Sequence, residues 1–271
     1  MSRLRSGIRN DADSPGASEA FFEPLGDGRY RATERTSGPW DPRHQHAGPP
    51  SALLTGLLER TAPRDEMVLA RVTVEILGAV PITEVEVSTA VERPGRSVEL
   101  LAGELRAGDR VVLRARAWRV LGSPVGTEAV APAALPESSD PPPPELGESF
   151  GYANAVEWRW ARGGWTDRGP ATVWTRMRVP VVAGEEPTPR QRVMVVADSG
   201  NGASNVLDWG RFMFINTELT VHFLREPVGE WVLLDAQTEI AEGGAGLASS
   251  VLSDRSGPVA RGAQALLVAP R

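Results

Sequence analysis

A proline-rich segment divides this chain and limits what it can fold into. Between Gly122 and Ser149 the sequence holds seven prolines, four of them consecutive at Pro141 to Pro144. Proline at this density favours extended polyproline II structure and cannot supply an element of a packed core. The sequence therefore predicts an N-terminal domain over residues 15–122, a linker over 123–149 and a C-terminal domain over 150–271.

Each half shows the same order of elements, a helix followed by four strands. In the first half, Gly48-Pro49-Pro50 opens a helical pattern of leucines, and the alternation from Val72 to Ile76 has the two-residue period of a strand. Turn signals separate the strand-like runs, which cover residues 68–77, 83–91, 98–105 and 110–120.

In the second half, Thr188 can cap a helix whose first turn contains Pro189 and which carries the apolar run 193–197. Strand-like runs follow at 219–224, 231–240, 246–252 and 259–268. An offset of 147 residues aligns Thr73 with Thr220, although few residues are identical, so the repeat depends on element order.

A helix that is apolar all round must be buried, and only the long strands offer a surface able to bury it. The pattern predicts an α+β fold in which each of two helices is wrapped by an antiparallel sheet.

The composition excludes several classes of function. The chain has no cysteine and no lysine, and its net charge is -6. Disulfides, thiolate metal sites and lysine Schiff bases are therefore excluded, and a nucleic-acid surface is disfavoured. No apolar run reaches the roughly 20 residues of a membrane span, and no apolar segment follows the basic start. We expect a cytoplasmic protein.

Five short motifs carry a resemblance to a known family. They are HAGPPSAL at 46–53, ADSG at 197–200, NTELTVH at 216–222, GEW at 229–231 and ARGAQ at 260–264. In this order and spacing they resemble the acyl-CoA thioesterase II family of double-hotdog enzymes, with Ala47 where that family commonly has glycine. The resemblance implies two tandem hotdog domains, hydrolysis of acyl-CoA, no cofactor and a homo-oligomer, expected to be a dimer.

Thioesterase II enzymes activate water with an Asp, a Thr or Ser hydroxyl and a Gln, all from the second hotdog. The resemblance assigns Asp198 and Gln264 to the first and last of these roles. Counting back from Pro227 selects Thr217 for the hydroxyl, whereas alignment on Thr220 selects Asn216. Both alternatives remain open at the level of the sequence.

The residues themselves also single out Asp198. It follows an apolar run near a helix C-terminus, where burial and the helix dipole both raise the pKa of a carboxyl group, as a general base for water requires. The alternative is that Asp198 only opens the Asp-Ser-Gly turn. Gln264 stands in an apolar strand, and its repeat partner is Ala117, which suggests that only the second copy keeps a site.

Strand alternation predicts Thr217 on the apolar face with Leu219, and Asn216 on the opposite face with His222. We interpret His222 as a packed or interface residue. Expected substrate-binding groups are His46, the Gly48 amide as an oxyanion donor, and Arg225 for the phosphates of CoA, with Arg43 as a further choice.

Other functions fit the sequence less well. His44 and His46 lack a third nearby ligand, so no metal site is expected, and the absence of Gly-x-Ser-x-Gly argues against a serine triad. Two alternatives remain: a non-catalytic acyl-CoA or lipid-binding hotdog protein, and a hotdog hydratase. The sequence shows no Asp-x4-His arrangement for the hydratase.

Overall fold

The computed structural model describes residues 19–122 and 150–271. The described helices are Gly48–Arg60 (α1), Gly151–Ala155 (α2), Pro189–Ala197 (α3), Gly200–Ala203 (α4) and a short 3-10 helix, Glu34–Thr36. No helix in these two ranges has the length and apolar character needed to cross a membrane. The predicted linker, residues 123–149, lies outside the described residues.

In the described part of the chain, thirteen strands form one antiparallel sheet. They are Phe22–Gly26 (β1), Arg29–Ala32 (β2), Met67–Ile76 (β3), Glu84–Arg93 (β4), Val98–Ala107 (β5), Arg110–Leu121 (β6), Val156–Arg162 (β7), Ala171–Met177 (β8), Phe212–Asn216 (β9), Glu218–Phe223 (β10), Trp231–Ile240 (β11), Ala245–Asp254 (β12) and Gly257–Pro270 (β13). The order is β1-β2-β4-β5-β6-β3-β10-β13-β12-β11-β8-β7, and β9 pairs with β13.

The predicted helices α1 and α3 and all eight predicted strands are confirmed, with bounds shifted by at most two residues. Five strands were not predicted: β1, β2, β7, β8 and β9. Strand β8 shows why, because its first five residues, from Ala171 to Thr175, are all buried. A strand buried on both faces has no alternation to detect.

The two halves meet along β3 and β10, and the repeat is visible in their pairing. Thr73 lies directly opposite Thr220, its partner under the offset of 147, and their hydroxyl oxygens are 3.1 Å apart. The same offset relates Thr73↔Arg116 in the first half to Thr220↔Ala263 in the second. The strands around α1 and α3 are therefore two copies related by a local two-fold axis, as expected for tandem hotdogs.

Helices α1 and α3 pack closely and run in opposite directions. A Cβ on Gly48, at the start of α1, would lie 2.1 Å from the carbonyl oxygen of Val195 near the end of α3. The other end of α3 begins with a capping box between Thr188 and Gln191, and the Gln191 amide donates to the Ala52 carbonyl of α1. This packing brings the N-terminus of α1 against the C-terminus of α3.

Candidate active site

The carboxylate of Asp198 is the centre of a buried polar cluster. Asp198 is the C-cap residue of α3 and is only 4% exposed. Its Oδ1 accepts hydrogen bonds from Asn216 Nδ2 at 2.8 Å and from Gln264 Nε2 at 3.3 Å. Two amide side chains from two different strands, β9 and β13, therefore hold one carboxylate oxygen.

The second carboxylate oxygen faces the loop that precedes α1. Asp198 Oδ2 lies 3.1 Å from Nδ1 of His46, and the Gly48 amide donates to the same nitrogen at 3.1 Å. The backbone amides of Ala47 and Gly48 also lower the pKa of Asp198. The dipole penalty expected at the end of α3 is thus opposed by the positive N-terminus of α1. The Gly48 amide, expected as an oxyanion donor, is occupied by His46 in this arrangement.

Burial determines the protonation of this pair. Loss of solvent raises the pKa of Asp198 to about 7, against the lowering effect of its hydrogen bonds with Asn216, Gly48, Ala47 and Gln264. Burial lowers the pKa of His46 to about 3, so its imidazole is neutral at physiological pH. Two acceptors facing each other are unfavourable unless a proton lies between them. Below pH 7 that proton belongs to Asp198.

Tyr152 supports His46 from the other side. Its ring stacks on the imidazole at 3.8 Å between centroids and 9° between planes. Its hydroxyl contacts the Val195 carbonyl at 2.9 Å and Ser199 Oγ at 2.7 Å. Tyr152 was not identified from the sequence, because stacking between a helix after the linker and a loop before α1 leaves no local pattern.

Gln264 is buried, as its apolar strand neighbours suggested. Its Nε2 donates to the Asp198 carbonyl at 3.1 Å, and its Oε1 accepts from the Asn201 amide at 3.1 Å. Its repeat partner, Ala117, is also buried. At this pair of equivalent positions, only the second copy has a polar side chain, Gln264, and the first copy has Ala117.

Of the two residues left open for the third role, Asn216 is the one that contacts Asp198. The alternation across residues 216–223 was wrong at its start, because β9 ends at Asn216 and β10 begins at Glu218. Thr217 lies in the break, is exposed, and donates its hydroxyl to the Ala265 carbonyl at 3.3 Å. The break resets the period and turns Asn216 inward.

The arginines chosen from the sequence lie apart from the carboxylate cluster. Arg225 makes two hydrogen bonds to Asp254, at 2.6 and 2.5 Å, and Arg43 pairs with Asp41 at 2.7 Å. Neither arginine lines the cavity described below. His222 is exposed on β10, consistent with a role outside the cluster.

A cavity of about 600 Å³ opens beside Asp198, Ser199 and Asn216. Its described lining includes five aromatic side chains and no arginine. Within the described residues, the rings belong to two groups that make no ring contact with each other. The Trp40 cluster consists of Trp40, Trp209 and Phe214, with centroids 4.5 to 5.1 Å apart, and the Tyr152 cluster consists of Phe150, Tyr152, Trp158 and Trp165.

The exposed Arg271 adjoins the Trp40 cluster, and the exposed Arg211 lies over Phe212, outside the cluster. The guanidinium of Arg271 lies 5.3 Å from the centre of the Trp40 ring, and the Arg271 amide donates to the carbonyl of Arg211 at 3.0 Å. Within the described ranges, neither guanidinium has a carboxylate within ion-pair distance. Neither side chain lines the cavity itself, but Arg271 lies over Trp40, which does.

Two family models match the chain. The model described as the acyl-CoA thioesterase N-terminal domain matches residues 36–120, and the model described as the acyl-CoA thioesterase C-terminal domain matches residues 131–268. None of the curated proteins matches the sequence.

Solved structures with the same fold cover nearly the whole chain. A hot dog fold protein of unknown function from Alicyclobacillus acidocaldarius has a TM-score of 0.72 at 13% identity, covering 93% of this chain and 97% of its own. The acyl-CoA thioesterase II TesB2 from Mycobacterium marinum scores 0.67 at 16% identity, covering 93% and 96%. The tesB protein from Mycobacterium avium subs paratuberculosis scores 0.66 at 18%, covering 92% and 96%. At these identities the likeness establishes the double-hotdog fold.

Proposed function

This chain belongs to the acyl-CoA thioesterase family, and we propose that it hydrolyses acyl-CoA to the free acid and CoA with a water molecule activated by Asp198. The observation that carries the proposal is a buried carboxylate whose pKa is raised to about 7, fixed by two amides at the wall of a cavity. A general base is most effective when its pKa lies near the working pH.

The proposed reaction begins with a water molecule in the cavity beside ionised Asp198. The carboxylate takes a proton as the water oxygen attacks the thioester carbonyl carbon. The tetrahedral intermediate then collapses, the carbon–sulfur bond breaks, and the thiolate leaving group recovers the proton from Asp198. The Asn216 and Gln264 amides hold Oδ1 in place throughout, so the carboxylate needs little reorganisation during the reaction.

Arg211 and Arg271 are our candidates for the phosphates of CoA, in place of Arg43 and Arg225. Strand β9 leads from Asn216 to Phe212, next to Arg211, and five residues of strand span roughly 16 Å. The nucleotide end would therefore rest at the exposed edge while the thioester reaches the carboxylate. A cytoplasmic location and a homodimer remain expectations of the same proposal.

Release of free CoA from a panel of acyl-CoA thioesters tests the proposal. Wild-type protein should release CoA, and Asp198→Asn should lower kcat by about 100-fold or more, since general-base catalysis contributes about 10²–10⁴-fold. Asp109→Asn, in the turn between β5 and β6, is the matched control and should retain full activity. Equal rates in the wild type and Asp198→Asn would contradict the assignment of Asp198.

A second set of variants tests the third position. Asn216→Thr introduces the hydroxyl typical of thioesterase II enzymes and should keep measurable activity, whereas Asn216→Val, nearly the same shape as threonine, leaves Asp198 Oδ1 without that donor and should lose most activity. Thr217→Val should stay close to the wild type. Loss of activity in Thr217→Val with retention in Asn216→Val would reverse the assignment.

The two alternative functions predict different outcomes of the same assays. A non-catalytic binding protein would be stabilised thermally by acyl-CoA without releasing CoA. A hydratase would consume an enoyl-CoA such as crotonyl-CoA with its thioester intact. Either result would contradict the hydrolytic proposal.

A further inference from the structure

Aromatic side chains form part of the wall of the cavity beside Asp198. Of the protein's sixteen Phe, Trp and Tyr residues, five line this cavity. Phe150, Trp165 and Trp209 are each partly exposed at this cavity, where aromatic rings can contact a ligand. Much of the remaining lining is small, including Gly38, Ala47, Gly78, Ala79 and Gly202.

The rings of the Tyr152 cluster contact one another and Trp160. Trp165 meets Trp158 and Trp160 edge to face, at 4.8 and 5.2 Å between centroids. Phe150 lies 6.3 Å from Tyr152 with a 20° angle between the planes. Because these rings contact one another, this part of the cavity presents flat aromatic walls, beside the aliphatic side chains of Ile76, Val80, Ile215 and Leu267.

The two ring clusters differ in charge. Arg271 stacks over Trp40, but in the described part of the chain no guanidinium stacks on Phe150, Tyr152 or Trp165. Tyr152 in turn stacks on His46, the neighbour of Asp198. The Trp40 cluster therefore suits the pantetheine chain and the phosphates of CoA. The Tyr152 cluster, which has no stacked guanidinium, suits the acyl group.

We propose that this enzyme prefers acyl groups that carry an aromatic ring, with Phe150 and Trp165 as the specificity-determining residues. The inference rests on the proposed function. An aromatic substrate ring gains offset-stacked or edge-to-face contacts that a saturated ring of the same size cannot make. The volume is ample, since a cavity of about 150 Å³ already holds a benzene molecule.

Three thioesters with eight acyl carbons test the preference: phenylacetyl-CoA, cyclohexylacetyl-CoA and octanoyl-CoA. The first two differ in the aromaticity of the ring and little in size. We expect kcat/KM for phenylacetyl-CoA to exceed that for cyclohexylacetyl-CoA by about fivefold or more, the effect of one or two aromatic contacts. Equal values, or a preference for octanoyl-CoA, would overturn the inference.

Substitutions locate the preference within the cavity. Trp165→Leu should reduce the phenylacetyl-to-cyclohexylacetyl ratio to about one, and Trp165→Phe should keep most of it. Trp209→Leu, in the Trp40 cluster, should lower kcat/KM for all three thioesters without changing the ratio. Trp118→Leu, on β6 and outside the cavity lining, is the control for a tryptophan lost elsewhere. A ratio that responds to Trp209→Leu and ignores Trp165→Leu would overturn the assignment of the two clusters.

Binding to Asp198→Asn, measured by calorimetry with the same three thioesters, separates this inference from the proposed function. Tighter binding of phenylacetyl-CoA without turnover by the wild type would contradict hydrolysis and support the aromatic preference. Turnover without any aromatic preference in rate or binding would support hydrolysis and contradict the aromatic preference.

Discussion

In the proposed mechanism, the role of Asp198 as a general base conflicts with the stability of the folded state. Its carboxylate is buried in a cluster that offers it amide donors but no cation, because His46 is neutral. Ionisation there costs free energy that the unfolded chain does not incur. The same cost brings the pKa of Asp198 into the range in which a carboxylate can accept a proton from water near neutral pH.

The pH dependence follows from the sign of this shift. The pKa of Asp198 is about 7 in the folded protein against 3.8 as the reference value. The folded state therefore favours the protonated form, and stability is lost as the pH rises from about 4 to 7, by about 4 kcal/mol. Asp198→Asn should raise Tm at pH 8 more than at pH 5, although it lowers kcat. Thermal unfolding at the two pH values checks this, and a lower Tm at pH 8 would contradict it.

The same pKa governs the activity of the wild type, whose kcat/KM should rise as the pH increases through about 7. Tyr152 should tune this profile through His46. Tyr152→Leu removes the stacked ring, so water reaches the carboxyl group, the pKa of Asp198 falls and the midpoint of the profile moves to lower pH, with kcat reduced about tenfold.

Tyr152→Phe is the matched control for the ring. It keeps the stacking on His46 and loses only the hydroxyl contacts with Val195 and Ser199. The midpoint of its profile should stay close to that of the wild type. If Tyr152→Leu lowers kcat/KM at every pH without shifting the midpoint of the pH profile, Tyr152 acts only through stability.

At the scale of elements, the site depends on two helix ends in contact. The N-terminus of α1 supplies the amides of Ala47 and Gly48, and α3 ends at Asp198. Proline at positions 49 and 50 removes two amides that would otherwise need partners in this buried place. The close approach of the helices is possible because Gly48 has no side chain.

Gly48→Ala should therefore damage both the fold and the site. A Cβ there would lie 2.1 Å from the backbone oxygen of Val195, which cannot rotate away as a side chain could. We expect a loss of about 1–3 kcal/mol in the free energy of unfolding. We also expect a lower kcat in the protein that remains folded, because Asp198 moves with the end of α3. Urea unfolding and CoA release measure the two effects.

Gly243→Ala is the control for glycine loss, since nothing lies within 4 Å of a Cβ at that position. It should leave both quantities close to the wild type. If Gly48→Ala behaves like Gly243→Ala, the two helix ends are not held as closely as described.

At the scale of the whole molecule, the protein and its proposed substrate are both negatively charged and repel each other. The chain carries -6 and CoA thioesters are anionic, so the proposed function requires a local attraction, which we assign to Arg211 and Arg271. Arg211→Ser with Arg271→Ser should raise KM for an acyl-CoA about tenfold and leave KM for the N-acetylcysteamine thioester of the same acid unchanged, because that ester has no phosphate. Steady-state kinetics at low salt measures both values.

Arg43→Ser is the comparison for this pair, since Arg43 is already neutralised by Asp41. It should alter neither KM. Equal increases in KM for both esters of the Arg211 and Arg271 variant would indicate a general disturbance of the cavity.

The sequence by itself determined the repeated elements of this protein. Helices α1 and α3 and eight long strands follow from periodicity, capping residues and turns, which are interactions between near neighbours along the chain. The burial of Asp198 and Gln264 could also be anticipated, because each stands in an apolar run. The resemblance to a family supplied the hydrolytic role that pattern alone could not.

Only the tertiary structure decided which residues surround Asp198. Asn216 turns inward because the strand breaks at Thr217, and that break depends on pairing with β13. His46, Tyr152 and Gln264 come from three distant parts of the chain, and their contacts depend on the packing of one half against the other. Such contacts leave no local pattern in a sequence, since their energy arises from burial and geometry that exist only once the two copies have come together.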